Sequence, residues 1–95
     1  MLRVRVELGQ VVYTQGVNGL VNEGERFRMF VNESVLRHQL GDWGDLGPED
    51  KAANERALIE GTRLLSAYTA KGLPKIWILT EADRSSTCIL FPSEY

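Results

Sequence analysis

Several residue types are scarce in this chain, and each scarcity excludes something. Cys88 is the one cysteine among 95 residues, so no disulfide can form within the chain, and a single thiol fits a reducing compartment. His38 is the one histidine, and with no cysteine pair the common zinc spacings lack ligands. No apolar run exceeds four residues, far short of the roughly 20 that a membrane-spanning helix needs. The opening MLRVRVEL alternates charged with apolar residues and lacks the continuous apolar block of a secretory signal. Basic excess is missing too: 11 Lys and Arg stand against 13 Asp and Glu, a net charge of −2. No basic stripe exists to follow a phosphate backbone. No glycine-rich phosphate loop or metal-ligand pattern is present. These absences predict a cytoplasmic protein without a cofactor that binds neither membranes nor nucleic acid directly.

What is present describes one domain. Hydrophobic residues make up 43% and charged residues 25%, ordinary values for a soluble globular protein with one modest core. Leu2, Val4, Val6 and Leu8 alternate with Arg3, Arg5 and Glu7, the period of a half-buried strand. Gly9 interrupts the phase as a hairpin turn or, by preference, a bend in one long strand. Thr14 is an N-cap for a short helix through Val17, Leu20 and Val21. Asn22 and Glu25 have capping-box spacing for a second helix. That helix carries one apolar stripe of Phe27, Val31, Ser34, Val35 and His38 and another of Met29, Leu36 and Leu40, and Gly41 ends it. Pro48 opens a third helix with Glu49 and Asp50 in its first turn and Ala53, Ala57 and Leu58 on one face, and Gly61 closes it. Strands follow over 64–68, 75–80 and 87–91. The reading is α+β: an N-terminal strand, two to three helices, then a three-stranded antiparallel meander, with the helices on one face of the sheet.

Chemistry concentrates in His38-Gln39-Leu40-Gly41-Asp42-Trp43-Gly44-Asp45-Leu46-Gly47. An imidazole and two carboxylates this close could hold a divalent cation or move protons. Equally, Trp43 could anchor the loop in the core, Asp45 could bond backbone N–H groups ahead of the third helix, and His38 could be a buried, hydrogen-bonded histidine. Thr80-Glu81-Ala82-Asp83-Arg84-Ser85-Ser86 is the second polar block. Arg84 there could grip an anion, or Asp83 and Ser85 could simply bond their own turn. Asn54 on the third helix is expected to fasten helix to loop, and Cys88 to pack in a strand. Residues 42–60 hold six acids (Asp42, Asp45, Glu49, Asp50, Glu55, Glu60) against two bases, a local net charge of −4. Such a stretch is either a solvated face or one that meets a basic partner.

The runs RHQLGDWGDL (37–46), EDKAANERAL (49–58), RLLSAY (63–68), KIWILTEADRSST (75–87) and ILFPSEY (89–95) resemble a family of small bacterial proteins carried on plasmids and other mobile elements. The GDWGD and TEADRS blocks together are specific to it, and GVNGLV (16–21) matches some members more loosely. Some members are labelled as a type I restriction methylation subunit, although 95 residues leave no room for a methyltransferase domain. The resemblance implies a mobile-element setting and, by association, counter-defence work such as blocking a restriction or CRISPR nuclease.

Three functions follow as expectations. The first is a binding protein that acts through protein–protein contacts, with Asp42, Trp43, Asp45, Glu49, Glu81, Asp83 and Arg84 as its binding residues and a basic surface as its partner. The second is a small metal-assisted hydrolase of a phosphate ester or nucleotide, in which His38, Asp42 and Asp45 bind metal or act as base and Arg84 steadies the anion. The third is a structural module that pairs with its twin through an open strand edge.

Overall fold

The computed structural model describes residues 3–95. Its elements run β1 (Gln10–Tyr13), α1 (Gln15–Glu23), α2 (Glu25–Gln39), α3 (Pro48–Glu60), β2 (Leu64–Ala70), β3 (Leu73–Thr80) and β4 (Ser86–Leu90), and the chain closes on a 3-10 turn, Pro92–Glu94. The fold is α+β, as expected. β2, β3 and β4 form the antiparallel meander, and β1 returns beside β4 in the order β1-β4-β3-β2. β1 runs parallel to β4, so the sheet is mixed. The helices between β1 and the meander supply the long crossover that parallel pairing needs.

The first strand differs from expectation. Met1 and Leu2 lie outside the described residues, and Arg3–Leu8 form no strand. The N–H groups of Arg5 and Val6 both donate to the Gln39 carbonyl at the end of α2 (2.9 and 3.1 Å). This segment is thus a strap across a helix end, satisfying a carbonyl that the helix itself leaves open. Val6 is buried and Leu8 half-buried, whereas Val4 is 57% exposed, so the alternation reflects insertion beside the core and no ladder. Gly9 bends the chain at φ +63°, and a side chain there would strike the Ser85 carbonyl. The strand begins just after it.

Helix boundaries follow local chemistry closely. Thr14 caps α1 by accepting from the Val17 N–H. Pro48 opens α3, and Gly61 closes it in the left-handed region at φ +73°. Two details depart from expectation. Helix α1 runs on through Glu23, leaving Gly24 to start α2 with no side-chain cap, so the Asn22–Glu25 box does not form. In the second stripe Met29 and Leu36 face water, 62% and 50% exposed, while Leu40 at the helix end is half-buried. The buried face of α2 is the first stripe, joined by Phe30.

Two clusters make the core. Val17, Val21, Phe27, Phe30 and Val31 from α1 and α2 cover Tyr68, Ile76, Ile78 and Ile89 on the inner face of the sheet. Val6, Trp43, Ala57 and Leu64 form the second cluster, under the strap and α3. Glu94 ties the chain end to the start of α1, accepting from the Thr14 hydroxyl (2.6 Å) and the Gly16 N–H (3.2 Å), where the helix dipole favours an anion.

The outer edge of β2 is capped at Leu65 and Ala67. The Asn54 amide donates to the Leu65 carbonyl (2.8 Å) and accepts from the Leu65 N–H (3.2 Å), as a neighbouring strand would. Asn54 therefore joins helix to strand, where the sequence suggested helix to loop. Two residues on, Ala67 donates to the Trp43 carbonyl (3.3 Å) and accepts from the Asp45 N–H (2.8 Å). The loop 43–45 lies flat on this edge, bridged to it at Gly44. Gly44 has φ +73°, and a Cβ there would sit 1.9 Å from the Ala67 carbonyl oxygen. Gly44→Ala should therefore cost about 3 kcal/mol or more, from left-handed strain plus a backbone clash. Gly61→Ala, with the same φ and open space around it, should cost only about 1–2 kcal/mol. Urea unfolding of the two variants measures the difference, and equal losses would count against the edge-capping role.

Candidate functional site

His38 is fully buried, and both of its ring nitrogens have partners. Nδ1 lies 2.5 Å from the Ser66 hydroxyl of β2, and Nε2 lies 2.9 Å from the Thr80 hydroxyl of β3. Thr80 meets the Thr87 hydroxyl of β4 (2.8 Å), and Thr87 meets the Leu8 carbonyl of the strap (2.8 Å). A carbonyl can only accept, so each proton in this chain has one possible direction if every bond is made. Thr87 donates to Leu8, Thr80 donates to Thr87, and Thr80 must then accept from Nε2–H. Nδ1 is left unprotonated and accepts from Ser66. The geometry thus selects the neutral Nε2–H tautomer. Burial, assisted by the Arg84 charge, pushes the imidazole down to about 4.

The carboxylates of the loop are employed elsewhere. Asp42 accepts from Arg37 through both oxygens (2.7 and 3.2 Å) and from the Gly44 N–H (3.1 Å). The Arg37 guanidinium, and then the Gly44 N–H, hold Asp42 below the usual carboxylate range against some desolvation. The Arg37 guanidinium also stacks over the Tyr68 ring at 4.9 Å. Asp45 accepts from the Thr69 hydroxyl (2.7 Å). Trp43 is 4% exposed and meets the His38 ring edge-on. Its indole N–H donates to Glu55 (2.8 Å), which also takes both arms of Arg5 (2.6 and 3.2 Å). Arg5, then Trp43, keep Glu55 below its ordinary value. The indole is the anchor that the sequence suggested.

The Arg84 guanidinium is turned to backbone carbonyls. The residue adopts φ +61° in the β3–β4 turn and donates to the carbonyls of Thr62 (2.6 Å), Ala57 (3.1 Å), Glu81 (3.1 Å) and Ala82 (3.3 Å). Ala57 belongs to the last turn of α3 and Thr62 follows its Gly61 cap, and the helix has no basic residue of its own in its last turn. Arg84 supplies the cation from outside the helix. Asp83 accepts from the Ser85 N–H (2.9 Å) as a turn-closing aspartate, and Glu81 pairs loosely with Arg63 (3.9 Å). Glu49 is exposed in the first turn of α3.

The two polar blocks meet at His38 and Thr80 (2.9 Å), but the loop carboxylates do not join Arg84. Asp42 and Asp45 sit beside Ala67–Thr69, whereas Arg84 sits beside Thr62 at the start of β2. Among the described residues no group of three or more His, Cys, Asp and Glu could hold a metal ion, so the hydrolase assembly of His38, Asp42, Asp45 and Arg84 is not formed. Cys88 is half-buried, and burial raises its thiol above the ordinary value. No helix of the described residues is long and apolar enough to cross a membrane.

Sequence reasoning missed a surface. Strand register puts Leu65, Leu79, Cys88 and Val12 in one row on the face of the sheet opposite α1 and α2, with Ala67, Trp77 and Leu90 in the next. On this face Ala67 and Leu90 are buried, while Leu65, Trp77, Leu79 and Cys88 are half-buried and Val12 is 38% exposed. Tyr95 meets Trp77 at 5.5 Å, and α3 stands at the β2 margin, where Leu46, Asp50, Ala53, Asn54, Arg63 and Leu65 line a cleft. The signal was available in the alternate residues of β3: Trp77 and Leu79 are as apolar as Ile76 and Ile78. Comparison with family models, with curated proteins and with solved structures gave no match.

The buried imidazole makes stability depend on pH. Its folded value lies below the unfolded 6.5, so as pH falls only the unfolded state takes up the proton, and stability is lost from about 6.5 downward. From pH 7 to pH 5 the loss should be about 2 kcal/mol. Asp42, Glu55, Asp83 and Glu94, all held below their ordinary values, contribute losses only further down. Urea midpoints across this window check it, and a flat profile would contradict the buried neutral state. Separately, Arg84→Ala should cost about 2 kcal/mol through the lost carbonyl bonds, with amide exchange rising first at Ala57–Thr62.

Proposed function

We propose that this protein is a binding module that acts through protein–protein contacts, an accessory protein of a mobile element whose partner is a component of host defence such as a restriction or CRISPR nuclease. The chain's one thiol and the lack of any described membrane-spanning helix support action in the cytoplasm. One observation carries the reading: a cleft lined by Leu46, Asp50, Ala53 and Leu65 sets the acidic first turn of α3 beside the half-buried apolar row of Leu65, Leu79 and Cys88 on the sheet. Glu49, Asp50 and Glu60 are exposed and in no ion pair among the described residues, while Asp42, Asp45 and Glu55 are occupied by the fold. A partner with basic groups beside an apolar patch fits this surface, with the acids steering its approach and the sheet face giving the contact area.

The test is inhibition of purified restriction and CRISPR nucleases by the full chain in a DNA-cleavage assay. With a nuclease that is inhibited, Glu49→Gln combined with Asp50→Asn should weaken inhibition about tenfold at low salt and less at 0.5 M, where charges are screened. Trp77→Glu should weaken it at both. Inhibition unchanged by all three substitutions, or inhibition of no nuclease, would overturn the reading.

A further inference from the structure

We propose that two copies of this chain associate through β1 into a continuous eight-stranded sheet. The two edges of the sheet are unlike. The β2 edge is closed by Asn54 and the 43–45 loop. On the other side, the Gln10 N–H donates to Ser85 and the Thr14 N–H to Ile89, so the alternation of a parallel ladder turns Gln10, Val12 and Thr14 toward β4. Val11 and Tyr13 point their backbone groups away, and those groups meet no partner among the described residues.

This edge carries none of the usual protection. It has no charge, proline or bulge, and Val11, Val12 and Tyr13 are 41%, 38% and 36% exposed. Edges of this kind add a strand unless something prevents it.

The edge suits a second copy for three reasons. Val11 and Tyr13 flank Val12 symmetrically, so an antiparallel pairing about a two-fold axis at Val12 sets Val11 against Tyr13 of the second copy and Tyr13 against its Val11. Every outward N–H and C=O is then used, in four hydrogen bonds. The strand is uncharged, so like copies meet without repulsion across the seam. Because the opposite edge is closed, addition stops at two and produces no fibre. The pairing also sets Val12 beside Val12 on the outer face, extending the Leu65–Leu79–Cys88–Val12 row across both copies. The dimer stands whether or not the nuclease reading does.

The interface is small, so association is expected only at high concentration. By sedimentation equilibrium the wild-type mass should rise from 10.7 kDa toward twice that over roughly 10 μM to 1 mM. Val11→Pro removes an outward N–H and spares the bonds to β4, so it should fold by circular dichroism and dissociate at least tenfold more readily. The decisive variant is Val12→Cys in a Cys88→Ser background under mild oxidation. Residues facing each other at a non-hydrogen-bonded position lie within disulfide reach, so a covalent dimer should form. Val11→Cys in the same background places its twin diagonally, at about 7–8 Å, beyond that reach, and should stay uncrosslinked. A wild-type mass that stays at the monomer value throughout, or crosslinking of Val11→Cys as fast as Val12→Cys, would overturn the proposal.

Discussion

A fully buried histidine needs a partner for each ring nitrogen, and in this chain that requirement draws the fold together. The His38 imidazole sits between Ser66 and Thr80, and the hydroxyl chain continues through Thr87 to the Leu8 carbonyl. Five separate segments, α2, β2, β3, β4 and the amino-terminal strap, end on one directed line of hydrogen bonds. No buried side-chain polar atom is left unpaired among the described residues. A line of this kind rewards only one arrangement of those segments, because breaking any link leaves a desolvated polar group behind.

Around that line, the residues with the most conspicuous chemistry serve the backbone. Trp43 fills the second core, its loop closes the β2 edge, and Arg37 and Asp42 brace the corner. Arg84 completes α3, much as Asn54 completes β2. Backbone groups without a partner among the described residues lie elsewhere, at the β1 edge on Val11 and Tyr13.

Much of this was legible in the sequence where the determinant is local. Thr14, Pro48 and Gly61 mark helix ends through their own backbone chemistry, and the meander follows from strand-rich runs separated by turns. What depended on distant partners was not legible. The alternation at residues 2–8 is the same whether Val6 enters a ladder or drops beside Trp43, and only Gln39 and Ser85, far along the chain, decide between them. The pairing of Thr80 with Thr87 depends on strand register, and Arg84 reads as an anion ligand until α3 is seen to end beneath it. Apolar residues on both faces of β3 were visible from the start. Their meaning depended on which face the helices would cover.

The hydrogen-bond line turns on the state of one ring. A long-range proton–nitrogen correlation spectrum of the protein labelled with nitrogen-15 at His38, recorded at pH 7 and followed downward, reports both tautomer and titration. Protonated Nε2 beside unprotonated Nδ1, with the ring still neutral at pH 5.5, is the predicted result. A proton on Nδ1, or a ring that charges near 6.5 as a solvated histidine does, would contradict the buried directed chain on which the rest depends.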